Sequence, residues 1–256
     1  MDDGSQKTEE PKITGRGGII PEILKAVVYM PVVRDKLYQL SVTVWKGEEV
    51  PKHWMRGLLV SIWKQGRFPR EDLSNHRGIT LLAWTKKVID LCINDRLHEV
   101  CKQVLEQENA GFRAARSGDD ITFAARRMIE DFVRMPANTE SPLYDEEDDN
   151  DLYMLYVDFE KAYDTVVRRL LYYILRHKYG IPDNVVDMII GLHEGLEITP
   201  QVRNYVWKRF EVRVGLQQGC VLSPNLWNLF LNHIMQEWKV ELGEGDWGVP
   251  IHHCRD

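Results

Sequence analysis

The stretch Tyr156-Val157-Asp158-Phe159-Glu160-Lys161-Ala162-Tyr163-Asp164 sets an acidic residue behind an apolar, β-prone run. A strand that ends in aspartate presents a carboxylate at the open end of a sheet, where it can bind a divalent cation. Phosphoryl transfer uses such carboxylates because paired metals clamp the attacking and leaving oxygens. The same residues also fit a plainer reading, in which Asp158 caps the helix that follows. A second stretch is Val214-Gly215-Leu216-Gln217-Gln218-Gly219-Cys220-Val221-Leu222-Ser223-Pro224. Its two glycines permit a close approach of backbone to a ligand. Gln218 adds an amide that both donates and accepts. The plainer reading here is an ordinary loop between a hairpin and a helix.

These residues need elements to hold them. Residues 152–157 are expected to form the strand that ends at Asp158. Residues 165–178 read as a helix closed by Gly180 and Pro182, and residues 185–192 as another. Residues 202–214 alternate weakly and read as a hairpin, and residues 224–240 as a helix with proline near its start. Upstream, residues 21–45 read as one or two helices broken near Pro31. Residues 58–63 form an apolar strand ending in a turn at Gly66, with residues 79–82 as its partner. The loop between carries Lys64, Arg67, Arg70 and Arg77. Residues 88–105 and 121–133 have helical period, the second being basic and amphipathic with Asp119 or Asp120 as N-cap. The fold class is α+β, with helices packed on a small sheet.

Composition narrows the classes. With 256 residues and 44% hydrophobic content, the chain can bury a sizeable core. No run of about 18 apolar residues suggests a membrane span. The polar, acidic start at Met1–Glu10 lacks the apolar core of a signal peptide, so an intracellular, nuclear or cytoplasmic protein is expected. The cysteines Cys92, Cys101, Cys220 and Cys254 lack CxxC spacing, which argues for a reducing compartment and against a zinc ribbon. The net charge of -6 is local: residues 145–151 hold six acids in seven positions, and the rest of the chain is balanced. Such a block reads as a solvated, mobile loop. The eight tryptophans read as core more than as stacking platforms.

Taken in order, the motifs resemble those of reverse transcriptases of non-LTR (LINE-type) retrotransposons. Residues 158–164 resemble the family's motif A, (I/L)DFxKAFDxV, and residues 215–224 its motif B, G(V/L)RQGCxLSP. Upstream, Gly17-Gly18-Ile19-Ile20-Pro21-Glu22 is similar to GPDGIxxE. Pro51-Lys52-His53-Trp54 through Ile62-Trp63-Lys64-Gln65-Gly66 is similar to VPxxW…IPIxKKG. Asn75-His76-Arg77-Gly78-Ile79-Thr80-Leu81-Leu82 is similar to NYRGITLL, and Glu108-Asn109-Ala110-Gly111-Phe112-Arg113 with Arg116-Ser117 to EQAGFRxGRS. Departures are Gln217 for Arg, His76 for Tyr, Gln65 for Lys, Tyr163 for Phe, and Ala114-Ala115 for Pro-Gly.

The resemblance implies a right-hand polymerase with fingers and palm on a small antiparallel sheet. Its expected layout is a lead-in at 1–16, fingers at 17–104, palm at 105–168, a connection with motif B at 169–222 and further palm at 223–256. It implies that Asp158, with the Phe159 carbonyl, ligates Mg2+ or Mn2+. It implies that Lys64 and Arg77 contact the triphosphate, that Tyr163 lies under the deoxyribose, and that Gln218 and Gly219 pack on nucleotide and template. Arg67, Arg70, Arg113 and Arg116 would meet nucleic acid. The implied partners are an RNA template, a DNA primer and deoxynucleoside triphosphates, with no membrane and an open oligomeric state. The family's second catalytic motif, (Y/F)ADD, has no counterpart, since Ala-Asp-Asp occurs nowhere in the chain. The expectation is therefore an incomplete palm without a thumb, and a chain inactive by itself. The alternative is a catalytically dead reverse-transcriptase-like module that binds nucleic acid or protein.

Overall fold

The computed structural model describes residues 21–48, 50–64, 69, 71–134, 154–202 and 205–243. The lead-in, the acidic block at 145–151, Arg67 and Arg70 lie outside them. The chain divides into two compact units: the described residues of Met1–Val104 with Lys161–Phe230, and those of Leu105–Glu160 with Leu231–Asp256.

The first unit opens with helices α1 (Pro21–Val27) and α2 (Pro31–Trp45). Pro31 occupies the first turn of α2, where its missing N–H costs nothing, so the break falls where the sequence puts it. Strand β1 (Arg56–Trp63) pairs antiparallel with β2 (His76–Leu81), in a register running from Leu58 opposite Leu81 to Trp63 opposite His76. Helix α3 (Trp84–Val104) follows and buries Ile89, Ile93, Leu97 and Cys101 along one stripe. Helix α5 (Arg168–Tyr173) continues through a π-helical turn at Ile174–Lys178, against which α6 (Asp183–His193) packs, and Leu171, Ile174, Leu175, Val186, Ile189 and Leu192 are all buried. Full burial of each such side chain is worth about 1.5–3 kcal/mol.

The sheet departs from expectation in two ways. It is mixed, because β3 (Glu197–Val202) runs parallel to β1, with Arg56 opposite Glu197 and Val60 opposite Gln201. A parallel pair needs a long crossover, and the helices between β1 and β3 supply one. Pro200 hides β3 in the sequence, yet it is tolerated: its only main-chain polar group, the carbonyl, accepts from Trp207 N at 2.9 Å. The hairpin expected at 202–214, in turn, is built on β3: Val202 pairs antiparallel with Tyr205, and the later residues of the segment return to β3 instead of pairing among themselves. Two short strands, β4 (Tyr205–Val206) and β5 (Phe210–Glu211), each add to β3, whose longer edge offers more ladder bonds.

In the second unit, α4 (Gly118–Arg134) is capped by Ser117 rather than by Asp119 or Asp120. Ser117 Oγ accepts from Asp120 N at 3.3 Å, while the Asp120 carboxylate accepts from Ser117 N at 2.7 Å. This reciprocal pair satisfies two orphan donors at once. The strand expected at 152–157 is not formed in its described part: residues 154–159 join no ladder, and Leu155, Tyr156 and Val157 are exposed. A strand exists only through a partner, and no described strand pairs with this one. Helix α7 (Ser223–Leu242) begins in the first unit and ends in the second. Among the described residues no helix is long and apolar enough to cross a membrane.

Candidate functional site

In the first unit the loop at 214–222 is fastened at both ends by backbone bonds. At its start, Gly215 N donates to Val166 O at 3.0 Å and Leu216 N donates to Tyr163 O at 2.7 Å. Gly215 has φ +81, and a Cβ there would lie 2.7 Å from Asp164 O. Toward its end, Thr80 N of β2 donates to Gln218 O at 2.8 Å, and a Cβ at Gly219 would lie 2.7 Å from Thr80 O. The glycines therefore do permit close approach, and what approaches is the protein's own backbone. Ser223 Oγ, at the start of α7, donates to Gln217 O at 2.7 Å and holds the loop's turn to the helix.

Several side chains complete this frame. The Tyr163 ring is half-buried and meets Trp227 edge-on, with centroids 5.9 Å apart at 79°. Burial pushes its phenol pKa up. Arg77 is exposed on β2 opposite Ile62. Lys64 is exposed just beyond β1, its N–H donating to Asn75 O at 2.8 Å and its Nζ to Ser74 O at 3.4 Å. Lys64, Arg77, Tyr163, Gln218 and Gly219 thus share one unit, on segments joined by direct backbone bonds. In the second unit, Asp158 and Phe159 are exposed. Arg113 Nη1 donates to Glu106 O at 2.7 Å and Asn109 O at 3.0 Å, and Arg116 donates to Gln107 O at 2.6 Å, so both guanidinium groups brace their own loop.

A family model described as reverse transcriptase (RNA-dependent DNA polymerase) matches residues 62–254, more than half of the chain. The chain belongs to the reverse transcriptase family. It is similar to a probable RNA-directed DNA polymerase from transposon BS of Drosophila melanogaster, at 23% identity over 209 residues, covering 81% of this chain and 20% of that protein. A second relative, from transposon X-element of the same organism, is 24% identical over 220 residues, covering 85% and 22%. A shorter match, 30% identical over 91 residues, covers 36% of this chain and 8% of the retrovirus-related Pol polyprotein from type-2 retrotransposable element R2DM. The chain spans about a fifth of the length of the first two. The LINE-type resemblance read from the motifs is borne out.

Reverse transcriptases depend on divalent metals as a family. The described residues do not by themselves make such a site, since they contain no group of three or more His, Cys, Asp or Glu able to hold an ion.

Three features of this reverse transcriptase domain escaped the motif reading. Arg168, 7% exposed, uses its Nε on Gly215 O at 2.8 Å and its Nη1 on Val212 O at 2.9 Å and His193 O at 3.1 Å. One buried guanidinium thereby ties the glycine to α6 and to the end of β5. Gln217, where the family has Arg, is 4% exposed, and its amide has no hydrogen-bond partner among the described residues. Lys86 and Asp90 form a fully buried ion pair on α3, with Nζ 2.6 Å from Oδ1. The signal for that pair was present: positions 86, 90, 93, 97 and 101 fall on one helical stripe with the apolar residues.

His193, at the end of α6, is buried against Tyr172, whose hydroxyl lies 2.9 Å from Nδ1. Burial first, then repulsion from Arg168 and Lys86, pushes its pKa down to about 3. The folded state thus refuses a proton that the unfolded chain binds near pH 6.5. Stability is full above that pH and falls as the pH drops toward the folded value, at about 1.4 kcal/mol per pH unit. Urea unfolding at pH 7 and pH 5 should show a loss of about 2 kcal/mol from this group, absent in His193→Gln. An equal loss in both proteins would mean that His193 is not the group responsible.

Proposed function

We propose that this chain supplies the fingers and part of the palm of an RNA-directed DNA polymerase, and that its first unit receives the incoming deoxynucleoside triphosphate. The observation that carries this reading is the pair of bonds, Leu216 N to Tyr163 O and Thr80 N to Gln218 O, that fastens motif B to the residues flanking a nucleotide. Residues 17–104 are the proposed fingers, with 105–168 and 223–256 as palm. Arg77 offers a guanidinium fork to the triphosphate and Lys64 a point charge beside it. The Tyr163 ring, backed by Trp227, walls the sugar so that a 2′-hydroxyl meets it. Gln218 and Gly219 border the base, and an RNA template and DNA primer are the proposed partners. Asp158, with the Phe159 carbonyl, is the proposed metal carboxylate.

Binding of dTTP to the 256-residue chain, followed by calorimetry with magnesium, tests the reading. Arg77→Ala removes a charge-assisted bond worth about 1.5–3 kcal/mol, so affinity should fall at least about tenfold. Tyr163→Ala should narrow the gap between deoxy- and ribonucleotide. Unchanged affinity in Arg77→Ala sinks the reading. Primer extension on an RNA template should yield no product from this chain alone. Extension that vanishes in Asp158→Ala would show that its carboxylates suffice without Ala-Asp-Asp.

A further inference from the structure

The sheet runs in the order β2-β1-β3-β4, so β2, which meets motif B, lies at the opposite end from β4. That far end carries a row of aromatic rings. Tyr205 pairs with Val202, Phe210 pairs with Ile198, and Trp207 N donates to Pro200 O. Alternate residues of a strand share a face. Positions 198, 200 and 202 are alternate, so their partners Phe210, Trp207 and Tyr205 fall on one face of the sheet. Their exposures are 49%, 64% and 74%, although an apolar ring gains by leaving water. Two residues of strand advance about 6.6–6.8 Å, which leaves room between successive rings for one base at the roughly 3.4 Å spacing of a stacked strand. Trp207 thus corrects the expectation that the tryptophans are core, which Trp54 at 1% exposure does meet.

Charge decides what such a row would take. Residues 205–214 hold Lys208, Arg209 and Arg213 against one acid, Glu211, in a chain whose net charge is -6. Arg209 bonds to Glu197 at 2.7 Å and Arg213 to Glu211 at 2.9 Å. Lys208 is exposed and has no ion-pair partner among the described residues, which leaves it for an anion. Rings interleaved with cations suit a strand that carries bases on one side and phosphates on the other. An apolar protein surface would leave Lys208 unmatched. We propose that residues 205–213 are a platform for single-stranded nucleic acid, with bases stacking on Tyr205, Trp207 and Phe210 and a phosphate meeting Lys208. These residues are separate from Lys64, Arg77, Tyr163 and Gln218, so the platform stands or falls apart from the nucleotide reading.

The test is fluorescence anisotropy of short labelled single strands, RNA and DNA, against the 256-residue chain. Stacking reads the face of any base, so both single strands should bind within a few-fold of each other. Trp207→Ala and Tyr205→Ala should each weaken binding about tenfold, and Trp207→Phe should keep most of it. Lys208→Ala should lower the slope of log affinity against log salt by about 0.7. Tyr38→Ala, which removes a ring 70% exposed on α2, should change nothing. Binding of dTTP should be the same in Trp207→Ala as in the parent, which separates this site from the nucleotide site. Single-strand affinity unaltered by Trp207→Ala and Tyr205→Ala would overturn the platform, leaving the rings for a protein partner. Equal affinity for a duplex would overturn it as well, because paired bases cannot splay onto rings.

Discussion

Gly215→Ala should cost about 2–6 kcal/mol of folding stability, a large part of the roughly 5–15 kcal/mol that holds a domain together. Two effects add. The φ of +81 is one that side-chain-bearing residues adopt only under strain of about 1–3 kcal/mol. The new methyl would also sit 2.7, 2.8 and 2.9 Å from the O, Cα and C atoms of Asp164. That obstacle is backbone, which cannot rotate aside as a side chain tip can, so overpacking adds about 1–3 kcal/mol. Gly219→Ala meets the same combination, with φ +102 and Thr80 O at 2.7 Å, and it also pries at the bond between Thr80 and Gln218. Gly47→Ala is the control: φ is +76 but nothing lies within 4 Å, so only the strain of about 1–3 kcal/mol remains. Urea midpoints for the three variants should rank Gly47 well above the other two. If all three lose the same amount, the tight joint between the loop and the 163–166 turn is not present in solution.

The glycines show what could be read from sequence and what could not. Their spacing announced a close approach, because no other residue type gives up its side chain for so little. The identity of the approaching atoms was not legible, since Asp164 and Thr80 reach them only through tertiary folding. Local signals were legible wherever one physical cause dominated. Pro31 broke a helix, the apolar stripe of α3 ran at helical period, and the continuous apolar, β-prone run at 58–63 formed a strand. They failed where partners decide. Residues 154–157 have a strand's composition and no ladder, whereas β3 has a proline and a ladder on both sides. Order of motifs placed Tyr163 and Gln218 near the same loop without any knowledge of Arg168. A buried guanidinium on three carbonyls leaves no trace in spacing, because carbonyls belong to every residue.

Asp90→Leu is expected to lose about 3–5 kcal/mol, because it strands the Lys86 ammonium in a site only 1% exposed. Lys86→Met should cost less. Burial already holds the Asp90 carboxyl above its usual range despite the opposing pull of Lys86, so once the cation is gone the acid can take up a proton and stay buried as a neutral group. The sign of its pH dependence follows. A folded pKa raised above the unfolded 3.8 means that stability is present in acid and lost as pH rises through the raised value, so Lys86→Met should be relatively most stable at low pH. The double variant Lys86→Met with Asp90→Leu should recover most of the loss, since apolar residues of similar volume often replace a buried pair at no cost. The pair has a second duty, because Asp90 Oδ2 lies 3.8 Å from Cys220 Sγ, the residue next to Gly219. Stability and positioning therefore part company in the double variant: urea unfolding should be near that of the parent, while dTTP binding should be weaker because the motif B turn has lost its tether to α3. Recovery of both would confine the ion pair to the core, and recovery of neither would mean that the charges themselves, not their volume, hold α3 in place.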